Sequence, residues 1–208
     1  MTKKYLLLIV TAALLMAACG KDDNKPAPEP GDGNGNLPVG FHFGIKAATV
    51  VYSTDNYASG DENNEMRIVF DDYGKKFRWE AGDAIYIVDE TAQTAYVLMP
   101  EAKMYMDYPG VASVRFAFTF YGDDVASPWK YYPGFTKQSN KTIAGKNCTV
   151  YSWTDGSDKL EWGGWKRITF WMKSTNDEDG SISKFEAKSI TESAASNSFT
   201  VPSDYTKM

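Results

Sequence analysis

Cys19 is the residue in this chain best placed for covalent chemistry. It follows Ala17-Ala18 at the end of the apolar run 5–16, and Lys3 and Lys4 precede that run. A charged start, a short apolar stretch and small residues before a cleavage point describe a bacterial secretory signal. A Cys directly after the small residues makes it a lipoprotein signal. The expected chemistry is acylation: a peptidase cuts before Cys19, and its thiol and new amino terminus receive acyl chains. The run is too short to span a bilayer, which takes roughly 20 apolar residues. Met16 stands where such signals usually carry Leu.

The other residues that could do chemistry do not assemble into a site. His42 is the only histidine and lies between Phe41 and Phe43. A Ser–His–acid set would need it, and the sequence reads it as a strand-edge residue instead. Cys148 is the only other thiol. With Cys19 acylated no internal disulfide is expected, and Cys148 reads as a small buried apolar residue. No Cys or His pair offers a metal cluster. The acidic turns Asp155-Gly156-Ser157-Asp158 and Asp177-Glu178-Asp179-Gly180 lack the ligand spacing and closing Glu of a calcium loop. Gly31-Asp32-Gly33-Asn34-Gly35 follows no strand, so it is no phosphate loop. The sequence therefore predicts no catalytic residue, no metal, no cofactor and no enzyme.

Position follows from the anchor. Acyl chains add about 0.8 kcal/mol per buried CH₂, so the mature chain is expected to be lipid-anchored in the outer membrane, on its periplasmic or cell-surface face. Gly20 leaves no acidic inner-membrane retention residue after Cys19. Lys21-Asp22-Asp23 resembles the short acidic export tag of surface lipoproteins of the Bacteroidetes. Residues 1–18 are read as the signal. Residues 19–40 are read as the acylated Cys and a tether rich in Pro and Gly, too poor in apolar side chains to offset its ordering entropy. Residues 41–208 form one domain.

Loss of Lys3 and Lys4 lowers the 22 basic residues to 20 against 27 acidic, a net charge of −7. An acidic domain argues against nucleic acid as a partner and against binding to anionic lipid through charge. All six Trp lie in this domain.

The elements that would position any site read as strands. Residues 65–72 place Met66, Ile68 and Phe70 on one face, with Arg67, Val69 and Asp71 on the other. Phe77 and Trp79 alternate with Arg78 and Glu80. Residues 44–53, 84–89, 94–99, 149–153, 167–173 and 182–191 are further strands. Residues 114–121 put Val114, Phe116, Phe118 and Phe120 opposite Arg115, Ala117, Thr119 and Tyr121. Turn residues fill the gaps, and period-two alternation means one buried and one wet face. No sustained helical period occurs after the signal. The expected fold is mainly β, an antiparallel meander that forms a barrel, a half-barrel or a sandwich. Residues 100–110 and the aromatic stretch 122–140 interrupt the strands, as a cover over the sheet or a binding surface.

Four stretches carry a family likeness: Phe70-Asp71-Asp72-Tyr73-Gly74-Lys75-Lys76; Ala84-Ile85-Tyr86-Ile87-Val88-Asp89 leading to Ala95-Tyr96-Val97-Leu98 and Lys103-Met104-Tyr105; Ile143-Ala144-Gly145-Lys146-Asn147-Cys148-Thr149-Val150-Tyr151; and Phe199-Thr200-Val201-Pro202-Ser203-Asp204-Tyr205. Their order over residues 41–208 resembles uncharacterised bacterial exported proteins related to the lipoprotein carriers LolA and LolB. The resemblance implies a strongly curved antiparallel sheet, a half-barrel with an apolar concave face, covered in the carriers by helices from a mid-chain insertion, with acyl chains inside. The chain departs from that pattern in 109–140, where Gly122, Pro128, Pro133 and Gly134 do not favour long helices.

Two functions follow as expectations. The first is binding of a lipid or other hydrophobic ligand in the half-barrel by Met66, Ile68, Phe70, Leu98, Phe116, Phe118, Phe120, Phe170 and Met172. The same residues would equally fill a closed core. The alternative is a cell-surface glycan- or protein-binding module, an adhesin or fimbrial accessory, using Trp129, Tyr131, Tyr132, Trp162 and Trp165 in Gly- or Pro-containing loops. For that variant, Phe77-Arg78-Trp79-Glu80-Ala81-Gly82-Asp83 resembles a turn of fimbrillin-like proteins.

Overall fold

Two antiparallel meanders, one from each half of the chain, join side by side into a single open, curved sheet. The computed structural model describes residue 37 and residues 40–55, 65–121 and 135–208. The signal with Cys19, most of the tether, and Trp129, Tyr131 and Tyr132 lie outside the described residues.

The first meander is β1 (Ala48–Asp55), β2 (Glu65–Asp71), β3 (Lys76–Ala81), β4 (Ala84–Asp89), β5 (Thr94–Met99) and β6 (Met104–Asp107). The short strands β7 (Thr136–Lys137) and β8 (Lys141–Ile143) come next in the chain. The second meander comprises β9 (Lys146–Asp155), β10 (Asp158–Trp165), β11 (Ile168–Asn176) and β12 (Ile182–Thr191). Both β7 and β8 pair with β9, at opposite ends of it. β1 pairs antiparallel with β12 and welds the halves together, with a bulge between Val51 and Tyr52. The last strand, β13 (Thr206–Lys207), runs parallel to β6 and covers that edge.

The register sets which side chains share a face. Val50 pairs with Ile68, Ile68 with Trp79, and Trp79 with Tyr86. Phe70 pairs with Phe77 and Phe77 with Val88. These residues line the concave side. The strands expected from alternation in β2–β5, β9, β11 and β12 are present. β1 begins at Ala48, because residues 41–46 instead dock across one end of the sheet. There the N–H groups of His42 and Phe43 donate to the Tyr73 carbonyl, and Gly44 donates to the Lys166 carbonyl at 2.7 Å. Gly74 makes that docking fit: its φ is +92°, and a Cβ there would sit 2.6 Å from the Phe43 ring.

Three expectations change. Residues 114–121 do not form a strand: Pro109–Phe118 is a 3₁₀ helix, and Thr119 makes a single bridge to Ile168. Pro109 removes a ladder donor at the start. Arg115 and Phe118, three residues apart, are both buried, as a helix of three residues per turn requires. Residues 104–107, read as part of an interruption, are β6. Residues 158–165, read as loop, are β10. Gly163 and Gly164 disguise that strand, yet close approach demands them. A Cβ on Gly164 would lie 2.4 Å from both the Ile168 carbonyl oxygen and Phe120 Cγ.

Cys148 is fully buried. Burial pushes its thiol up to about 12, although a backbone hydrogen bond at Ile143 acts the other way. Only the thiolate attacks a disulfide reagent. At pH 8 the native protein is therefore expected to leave Cys148 unlabelled, and addition of urea to expose it to rapid labelling. Comparable labelling rates in the two states would refute the burial.

Candidate functional site

The concave face grades from sealed to open across the sheet. On β1 and β2 its residues Val50, Tyr52, Ile68 and Phe70 are fully buried. Two rows then continue toward the β6 edge. One runs from Met66 through Ala81 and Ala84 to Met99 and Met104. The other runs from Ile68 through Trp79 and Tyr86 to Val97 and Met106. From β3 outward every residue in both rows is only half-buried. The small side chains of Ala81 and Ala84 leave a floor between the flexible thioethers and the Trp79–Tyr86 stack, whose ring centres are 4.8 Å apart. Methionines adapt to irregular apolar partners. The result is an apolar trough about 14 Å across, three strand spacings.

The inner end of the trough is closed by the crossover helix Pro109–Phe118, which lies against β4, β5 and β11. Phe118 is 1% exposed. Its ring centre stands 5.8 Å from that of Trp79 and 5.9 Å from those of Tyr52, Phe77 and Phe185. A residue from outside the sheet thus fills the middle of the hollow. Arg115 fastens this helix. Its side chain is almost wholly buried and donates to the Gly74 carbonyl at 2.8 Å and to Glu90. His42 Nε2 lies 3.1 Å from the other oxygen of Glu90.

Burial pushes the Glu90 carboxyl up, but the His42 hydrogen bond and the charge of Arg115 outweigh it and hold the group below its ordinary value. A depressed carboxylate stabilises the fold above its unfolded value, and that stability is lost as pH falls through the folded value. The urea midpoint is therefore expected to fall as pH drops below about 4.5, the ordinary value, and to fall less steeply in Glu90→Gln. Identical slopes in the two proteins would remove Glu90 from the clasp.

The residues expected to line a lipid cavity divide. Met66, Ile68, Phe70, Phe118 and Phe170 are together, but as one sealed core. Phe120 belongs to a second cluster with Tyr151 and Trp162. Met172 is half-buried and touches both clusters. Phe116 is half-buried, its ring 5.8 Å from that of Tyr121. Leu98 is on the wrong face: it pairs with Ile85 on the convex side, where it is fully buried. The C-terminal turn Ser196–Phe199 lies against β3 and β4 on the sheet, and Arg78 donates to the Ser198 carbonyl at 3.0 Å.

The loop-tryptophan reading is corrected in the same way. Trp162 sits inside β10, 3% exposed, with its Nε1–H donating to Thr169 Oγ1 at 3.0 Å. Trp165 ends that strand, half-buried, with Lys146 Nζ 4.4 Å from its ring centre.

Sequence reasoning does not single out the trough residues Trp79, Tyr86, Val97, Met99, Met104 and Met106. Their signal is the continued alternation through 104–107. A separate open groove of about 520 Å³ lies by the β4–β5 turn. Its carboxylates Asp89, Glu90 and Asp107 are each paired, with Lys76, Arg115 and Lys207. Among the described residues no group of three His, Cys, Asp or Glu could hold a metal ion.

No family model matches the chain, and no curated protein is similar to it in sequence. Solved structures with a similar outline include an uncharacterized conserved protein from Thermus thermophilus. It is 8% identical, the match covers 79% of this chain and 90% of that one, and the TM-score is 0.48. MucB in complex with MucA(peri) is 13% identical over 76% of this chain and 55% of that one, with a TM-score of 0.42. The Pseudomonas aeruginosa MucA/MucB complex is 10% identical over 76% and 56%, with a TM-score of 0.38. The chain thus spans little more than half the length of MucB. Likeness at this distance carries no functional implication.

Proposed function

We propose that this protein is a non-enzymatic, lipid-anchored lipoprotein of the outer membrane, held through acyl chains on Cys19, whose β domain binds a hydrophobic ligand along the concave trough. The observation that carries the binding role is the gradient of burial on one continuous apolar face. The face is sealed over β1 and β2 and half-exposed over β3–β6, although the same register runs through both. A sheet evolved only to close a core gains nothing from two rows of half-wet Met, Val, Tyr and Trp. The crossover helix with Phe118 acts as the movable cover of this site, in the manner expected of carrier-like half-barrels. The anchor reading is supported by the charged start, apolar run and Ala17-Ala18-Cys19.

The test is native mass spectrometry of the full-length protein taken from membranes in mild detergent. A bound lipid is expected, and it is expected to be lost in Met106→Glu. That position is already half-wet, so the variant should unfold at a urea concentration close to that of the parent. A clean protein mass that takes up no added lipid would overturn the reading and return the question to the aromatic surface residues. The same spectrum reads the acyl mass on Cys19.

A further inference from the structure

Two polar atoms on the concave face have no hydrogen-bond partner among the described residues: the indole Nε1 of Trp79 and Oγ1 of Thr54. Both atoms are buried, and Thr54 as a whole is 5% exposed. An unpaired buried donor costs stability, so its retention calls for an explanation. Trp79 stands at the inner end of the trough, stacked on Tyr86 and facing Phe118. Its indole can only donate. A ligand entering from the β6 edge over Met106, Val97 and Tyr86 reaches it last. A chain alone would leave the N–H unpaired, whereas a carbonyl would pair it. The two rows carry no Lys or Arg, so a carboxylate head would be buried without a counter-charge, at a high cost. The acidic balance of the chain also disfavours an anion.

Resting on the hydrophobic-ligand reading above, we infer that the ligand is a neutral acyl ester or amide whose carbonyl accepts the Trp79 indole N–H, which makes Trp79 a specificity-determining residue. Phe118, whose ring neighbours Trp79, must shift for the carbonyl to arrive, so head recognition and cover displacement occur together.

The experiment uses the full chain in amphipol with a diazirine-bearing alkane as photoprobe, labelling being mapped to peptides. Methyl dodecanoate, dodecanoate and dodecane compete against it. The ester is expected to compete about fivefold better than the alkane, one hydrogen bond's worth, and better than the carboxylate. In Trp79→Phe the ratio of ester to dodecane competition, measured within that variant, should fall to about one. A second measurement needs no variant: in protein labelled with ¹⁵N-tryptophan, the ester but not dodecane should move the Trp79 indole N–H resonance downfield. Labelling of the trough with equal competition by ester and alkane, or an unmoved indole resonance, overturns this inference and leaves the hydrophobic site standing. Absence of any labelling in the trough overturns both.

Discussion

Phe118→Ala is expected to lower the unfolding free energy by about 3–5 kcal/mol, the range for a fully buried aromatic. The loss follows from position. The ring is lodged among Tyr52, Phe77, Trp79 and Phe185, side chains of β1, β3 and β12. The variant should show a lower urea midpoint with an unchanged slope, since the surface exposed on unfolding is nearly the same. It should also take up alkyl probes more readily, because the hollow it vacates is continuous with the trough. An unchanged midpoint would mean that the centre of the domain is filled by something other than this ring.

The second large effect is expected at Arg115. Replacement by Met keeps much of the apolar stem but leaves the Gly74 carbonyl and one face of Glu90 without their donor. Removing one partner of a buried pair costs about 3–5 kcal/mol. A third of the Glu90 side chain is in water, so about 2–3 kcal/mol is the better expectation. The discriminating readout is local. Amide exchange should quicken at Thr119 and Phe120, whose N–H groups bond to Phe116 and Arg167, and stay slow along β1 and β12. A uniform acceleration would show that Arg115 supports the whole fold and not the cover in particular.

Most strands are legible in the sequence because their outward residues are charged. Arg67, Arg78 and Glu80 mark the convex face of β2 and β3. Legibility fails where a second surface is apolar too. Leu98 alternates correctly with Val97, but it is buried on the convex side while Val97 faces the trough. Alternation alone cannot choose between two apolar faces. In 114–121, Phe116, Phe118 and Phe120 satisfy a period of two, yet Arg115 and Phe118 obey a period of three. The deciding fact is the buried guanidinium, which finds its partners in Gly74 and Glu90, far away in sequence. Gly163 and Gly164 hide β10 because their value lies in what would collide with a side chain. The trough is half visible: Met104 and Met106 stand out in the sequence, but as loop residues and not as the end of a face already counted as core.

The seam between β1 and β12 has a consequence for how the chain is made. Thr49 lies opposite Thr191 and Asp55 opposite Lys184, partners well over a hundred positions apart. Such closure is entropically costly and slow. Until the stretch 182–191 has emerged, β1 has β2 on one side and a bare row of amides and carbonyls on the other, beside Val50 and Tyr52. An unpaired apolar edge is a template for aggregation. A nascent chain therefore has to be kept apart from its copies until nearly its last strand arrives, and shortening it before residue 182 should yield aggregates and no smaller folded domain.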